Sequence, residues 1–182
     1  MRKLILMAAA ACAAATTAFL TGCEPPNETV LVAAANTAGN LGLSAWFAID
    51  DPDDQVKTVL KDVVTLVNEG ASQVGEGVSY VDALTPVIQD VVAKHDKLTP
   101  AQKNLINAGA AVILGTLDTF IDSNPKVKGN VELASKVVAS FCRGCLTAIE
   151  RSADANAAKS LKKAHQLMQM RYDAKAQAFV AR

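Results

Sequence analysis

From Thr29 onward, apolar residues recur at intervals of three and four, the period of an amphipathic helix. The clearest stripe is Val56, Val59, Leu60, Val63, Val64 and Val67, one apolar face along about three turns. It follows Asp50-Asp51-Pro52-Asp53-Asp54, where proline suits a first turn and carboxylates suit the positive end of the helix dipole. Before it, Thr29 to Ile49 carries no charge and reads as helix, with Ala34, Ala38, Gly42 and Ala45 spaced for close packing. Its asparagines and glycines predict a break. Gly70 to Gly77 reads as a loop. A third stripe, Val81, Leu84, Val87, Ile88, Val91 and Val92, predicts a helix from Tyr80 or Val81 to Lys94. Pro86 within it predicts a kink, or a true start near Thr85.

Leu98-Thr99-Pro100 is a helix start: threonine as N-cap and proline at the first helical position. This helix is expected to reach Asp122. Its middle, Ala108 to Gly115, is apolar all round, which predicts the central helix, buried on most sides. Ser123-Asn124-Pro125-Lys126 ends it, and Asn130 caps a helix from Val131 to Arg151 with the stripe Ala134, Val137, Val138, Phe141, Cys142, Cys145, Leu146 and Ile149. A last helix is predicted from Asn156 to Val180, with Leu161, Ala164, Met168, Tyr172 and Phe179 on one face. Valine is abundant, but its helical spacing overrides its preference for strands. No internal repeat and no strand pair is read. The fold class is all-α: five or six helices in an irregular bundle.

The first 28 residues obey different rules. Met1-Arg2-Lys3 is a basic start, and the alanine-rich stretch from Leu4 to Leu20 is apolar and free of charge. That is the layout of a secretory signal, which is excluded from fold reasoning. The stretch closes on Leu20-Thr21-Gly22-Cys23. This tetrapeptide resembles the lipobox of bacterial lipoprotein precursors: an aliphatic residue, two small residues and cysteine. The resemblance covers residues 1–23 only. It implies cleavage before Cys23 by signal peptidase II, diacylglycerol on the Cys23 sulfur and usually an acyl group on the new amine. Residues 1–22 are then signal peptide, residues 23–28 a lipidated cysteine with a Pro25-Pro26 spacer, and residues 29–182 one helical domain. Two or three acyl chains hold a protein firmly, at ~0.8 kcal/mol per buried CH₂. Residue 24 is Glu rather than the Asp that often marks inner-membrane retention, so the resemblance favours the outer membrane of the cell envelope.

Composition sharpens this picture in two ways. Aromatic residues make up only 4% of the chain, so Val, Leu, Ile and Ala must fill the core. The overall charge balances at 18 against 18, but unevenly. Acidic residues outnumber basic ones by 14 to 5 between Glu24 and Asp122, and basic residues outnumber acidic ones by 11 to 4 from Ser123 onward. Such asymmetry lets one half attract the other, or makes the last helix a surface for lipid headgroups or an acidic partner. Nucleic acid is not expected as a partner, because basic residues interleaved with aromatics are lacking.

The sharpest candidate chemistry is Cys142-Arg143-Gly144-Cys145. Cys12 leaves with the signal and Cys23 carries lipid, so these are the free thiols. Haem attachment needs histidine where Leu146 stands. Zinc needs two further ligands, and His95 and His165 are isolated. A thioredoxin-like site needs a βαβ context. A disulfide between Cys142 and Cys145, or a pair of buried thiols, remains. At i, i+3 in a helix the Cβ atoms stand ~5–6 Å apart, wider than the ~3.5–4.5 Å a disulfide prefers, while an oxidising compartment favours the bond. The Asp50–Asp54 run lacks the spacing of calcium loops and reads as helix capping. Trp46-Phe47 and the Met168/Met170 pair suit either a core or a recognition surface. No metal or cofactor is predicted. The expected function is a non-catalytic, membrane-anchored binding or scaffold module, held to the bilayer through Cys23 and engaging an envelope protein. The alternatives are an envelope redox or ligand-binding protein using Cys142 and Cys145, and a helical domain that itself associates with membrane.

Overall fold

The computed structural model describes residues 27–70 and 79–153. Residues 1–26, where a signal peptide, Cys23 and most of its spacer are expected, residues 71–78 of the expected loop, and the helix expected over 156–180 lie outside the described residues. Asn27 and Glu28, expected in the spacer, instead cap and open the first helix, because the Asn27 side chain accepts from the Val30 amide. Among those described, all regular structure is helical, in six helices: α1 (Glu28–Asp50), α2 (Asp54–Gly70), α3 (Tyr80–Ala93), α4 (Pro100–Asp122), α5 (Pro125–Lys128) and α6 (Val131–Ala153). The all-α bundle expected from periodicity is what forms.

Side-chain caps set most of the helix starts. The Val30 amide donates to Asn27 Oδ1 (2.9 Å) at the start of α1, and the Leu133 amide donates to Asn130 Oδ1 (3.0 Å) at the start of α6. At α4, Thr99 and Gln102 form a reciprocal capping box, satisfying two of the amide groups that a helix start leaves open. The Val56 amide donates to Asp53 Oδ1 (2.8 Å), so Asp53 is the cap of α2 and Pro52 stands one residue before it, buried. Proline was expected within the first turn; the aspartate that could bond back to the helix took the cap position instead. α1 ends at Asp51, which adopts a left-handed conformation (φ 42°), tolerated by aspartate among non-glycine residues. α5 is a single turn where only a terminator was expected.

Directions follow from pairwise contacts. Lys136 Nζ meets Glu28 Oε1 (2.7 Å), Ser140 Oγ donates to the Val32 carbonyl (2.8 Å), and Cys145 Sγ donates to the Gly39 carbonyl (3.6 Å). Residue numbers rise together, so α1 and α6 run parallel. Trp46 packs on Gly109 and Gly42 on Thr116, so α1 and α4 run antiparallel. Gln102 bonds Asp53 (2.9 Å) and Gly109 packs on Leu60, so α2 runs parallel to α4. α3 returns along α4, with Lys103 Nζ on the Ala93 carbonyl (2.6 Å) at one end and Asp118 on Tyr80 (2.8 Å) at the other. α4 touches all five other helices and is the central helix. Its apolar middle is nonetheless open along one side: Ala111 is exposed, and Ala108, Val112 and Gly115 are only partly covered. The expectation of burial on most sides is corrected to that extent.

The stripe on α2 is buried in full. On α3 only Leu84, Ile88 and Val92 are buried, while Val87 and Val91 are 47% and 40% exposed. α4, with a smaller contribution from α2, covers one side of α3 and leaves the rest of that stripe open. α3 is continuous through Pro86. Pro86 and Asp82 both lie on the exposed side, so the Asp82 carbonyl that proline leaves without a helical donor is open to solvent rather than buried.

Candidate functional site

Among the described residues, the most extensive packing between helices is the parallel seam of α1 and α6. Four small residues on α6, Ser140, Gly144, Ala148 and Ser152, recur every fourth position and are all buried. Opposite them on α1 stand Asn36, Gly39 and Asn40. A Cβ added at Gly144 would collide with the Asn36 carbonyl, and one at Gly39 with the Phe141 carbonyl. The two backbones touch at these points, as small residues permit. Asn36 Nδ2 donates to the Ser140 carbonyl (3.1 Å), tying the helices across the contact. This seam explains why α1 runs unbroken for 23 residues although its asparagines and glycines predicted a break: they are the residues by which it fits α6 and α4. Ala38 and Gly42 are buried as their spacing implied, while Ala34 and Ala45 are only partly so.

Cys142 and Cys145 lie on the buried side of α6 as free thiols, 3% and 1% exposed. The helix continues through Gly144 between them. Burial pushes the Cys142 thiol up to about 12. Burial, then the neighbouring Cys142, pushes Cys145 well above its usual value. A thiol attacks as thiolate, so both groups are held in their unreactive form. Trp46 and Phe47 are core residues at 4% and 5% exposure, with ring centroids 5.4 Å apart. Met168, Met170 and His165 lie outside the described residues, as does Cys23. His95 is half-buried in the turn after α3. Among the described residues, no three of His, Cys, Asp or Glu come together in a group that could hold a metal ion.

Two polar constellations escaped the sequence reading. Asp118, on α4, accepts from Ser79 Oγ (2.5 Å) and from the amides of Tyr80 (2.8 Å) and Val81 (3.2 Å). A carboxylate from one helix thereby caps the start of another, with its charge at the positive end of the α3 dipole. Burial raises the Tyr80 hydroxyl above its usual value of 10, and the Asp118 charge adds to this. Gln102 joins two helix starts: its Oε1 accepts from the Thr99 amide (2.9 Å) while its Nε2 donates to Asp53 Oδ2 (2.9 Å). The bonds from Val56 and Gln102 hold the Asp53 carboxyl below the usual value of 3.8. Asp53 thus acts through helix geometry, as capping required.

α4 is long and apolar enough to cross a membrane, with 44% of its most apolar window buried. The central helix of a bundle meets the same test, and α4 holds that position here. No known protein family, curated protein or solved structure matches the chain.

Proposed function

We propose that the chain is a lipoprotein precursor whose helical part serves as a non-catalytic binding or scaffold module at the cell envelope. The observation that carries this reading is Leu20-Thr21-Gly22-Cys23 at the end of an uncharged run from Leu4 to Leu20 behind Arg2-Lys3. Acylation at Cys23 anchors the module to the bilayer, on the outer membrane by the Glu24 analogy, and an envelope protein is its partner. Burial of both thiols on the inner side of α6 weighs against the redox alternative, because a catalytic cysteine needs access and a depressed pKa.

The test has two arms. Labelled palmitate fed to expressing bacteria enters the chain, and a Cys23→Ser variant stays unlabelled and uncleaved. Absence of label in the unaltered chain removes the anchor reading. Crosslinking in intact envelopes then recovers one recurrent envelope protein with the acylated chain and loses it with Cys23→Ser. An acylated chain that crosslinks to no protein keeps its anchor and loses the scaffold role.

A further inference from the structure

α1 and α4 lie side by side and antiparallel, and beside their seam each keeps an outward strip without charge. On α1 the strip passes through Val30, Ala33, Thr37 and Leu41 toward Ile49; Val30, Leu41 and Ile49 are 42%, 46% and 42% exposed. On α4, Ala111 is exposed and Gly115 faces open space. The other long helices place charge outward: Lys61 and Asp62 on α2, Asp82 and Asp90 on α3, Glu132 and Arg143 on α6. An uncharged strip along a helix of 23 residues is a surface that a neighbour normally covers.

The chain itself supplies a candidate cover. Cys145 meets Gly39 across an offset of 106 residues; the same offset sets Ala153 level with Phe47. The parallel course of α6 therefore ends Ala153, the last residue before this segment, at the level of the Ile49 end of the strip. Residues 154–182 at ~1.5 Å per helical residue would extend about 40 Å, and α1 is about 34 Å long. Leu161, Ala164, Met168, Tyr172 and Phe179 recur at helical intervals, and six basic residues against two acidic ones occupy the same segment. A segment already joined at the edge of a surface meets it at high effective concentration, whereas a second copy or another protein must first lose its freedom to associate.

We propose that residues 154–182 fold back over the uncharged outward face of α1 beside α4, setting Leu161, Met168 and Tyr172 against Leu41 and its neighbours. At helical spacing Lys159, Lys162 and Lys163 of that segment then face water. This occupant does not depend on acylation at Cys23.

The test uses the full chain in vesicles of phosphatidylethanolamine and phosphatidylglycerol. Photo-reactive benzoylphenylalanine replaces Leu41, an exposed site, and in a control replaces Asp62 on α2. Illumination is expected to link position 41 to residues within 154–182 of the same molecule, mapped by mass spectrometry, and position 62 to none of them. Met168→Glu with Tyr172→Glu is expected to abolish most of the position-41 product. Products with lipid acyl chains, products with a second copy, products confined to the other helices, or an undiminished yield in the double variant would each overturn the proposal.

Discussion

Replacing Gly144 by alanine tests whether α1 and α6 meet backbone to backbone. In an isolated helix this change stabilises by about 1 kcal/mol, because alanine loses less conformational freedom than glycine. Here the added Cβ would collide with the Asn36 carbonyl and press on the Asn40 amide, both part of a helix that cannot rotate aside as a side chain can. Overpacking costs about 1–3 kcal/mol and occasionally more, and a collision with main chain belongs at the upper end. Subtracting the helix gain leaves a net loss of about 2 kcal/mol. Gly115 is the internal control: a Cβ there meets nothing within 4 Å, so Gly115→Ala is expected to stabilise by about 0.5–1 kcal/mol. Urea unfolding followed by circular dichroism gives both values. If Gly144→Ala proves neutral or stabilising, the close parallel seam is not how these helices pack.

Three further outcomes are expected. At pH 8, Cys142 and Cys145 resist iodoacetamide in the folded chain and react promptly in urea; their raised pKa values mean that the stability they contribute is present below the usual 9.0 and is lost as pH rises toward the folded values, and rapid labelling of the native chain would contradict their burial. Asp118→Ala removes the acceptor for Ser79, Tyr80 and Val81 and is expected to cost about 2 kcal/mol, with Asp118→Asn, which keeps one acceptor oxygen, losing about half as much in the same unfolding assay. Asp53→Ala removes the α2 cap at about 1 kcal/mol near neutral pH; because the folded carboxyl titrates below the usual 3.8, that contribution is complete above 3.8 and fades as pH falls beneath it, so the gap between the two proteins is expected to close in acid.

Much of this fold is legible from local rules. The α2 stripe, the Thr99-Pro100 start and the Asn130 cap depend on neighbours within one or two turns, and each appears where periodicity and capping place it. The resemblance at Leu20–Cys23 is likewise a local string. The chemistry of the cysteines was half legible: spacing put both on a buried stripe, but a stripe does not say what lies above it, and only the Gly39 carbonyl over Cys145 shows how closely that thiol is covered.

What the sequence by itself determined, then, is helix type and most helix boundaries, because the 3.6-residue period and side-chain caps act over distances the chain sets covalently. The tertiary structure decided which helices meet and how closely. Asn36, Gly39 and Gly42 favour a break when read alone; the hydrogen bond of Asn36 to Ser140, the close approach of Phe141 to Gly39 and that of Thr116 to Gly42 turn them into the packing faces of an unbroken helix. Asp118 and Gln102 carry no local signal of their roles, because each serves a helix start belonging to a different part of the chain. Val87 and Val91 fit their stripe yet stay exposed, since a stripe records which residues can be buried and only the neighbouring helix decides which of them are.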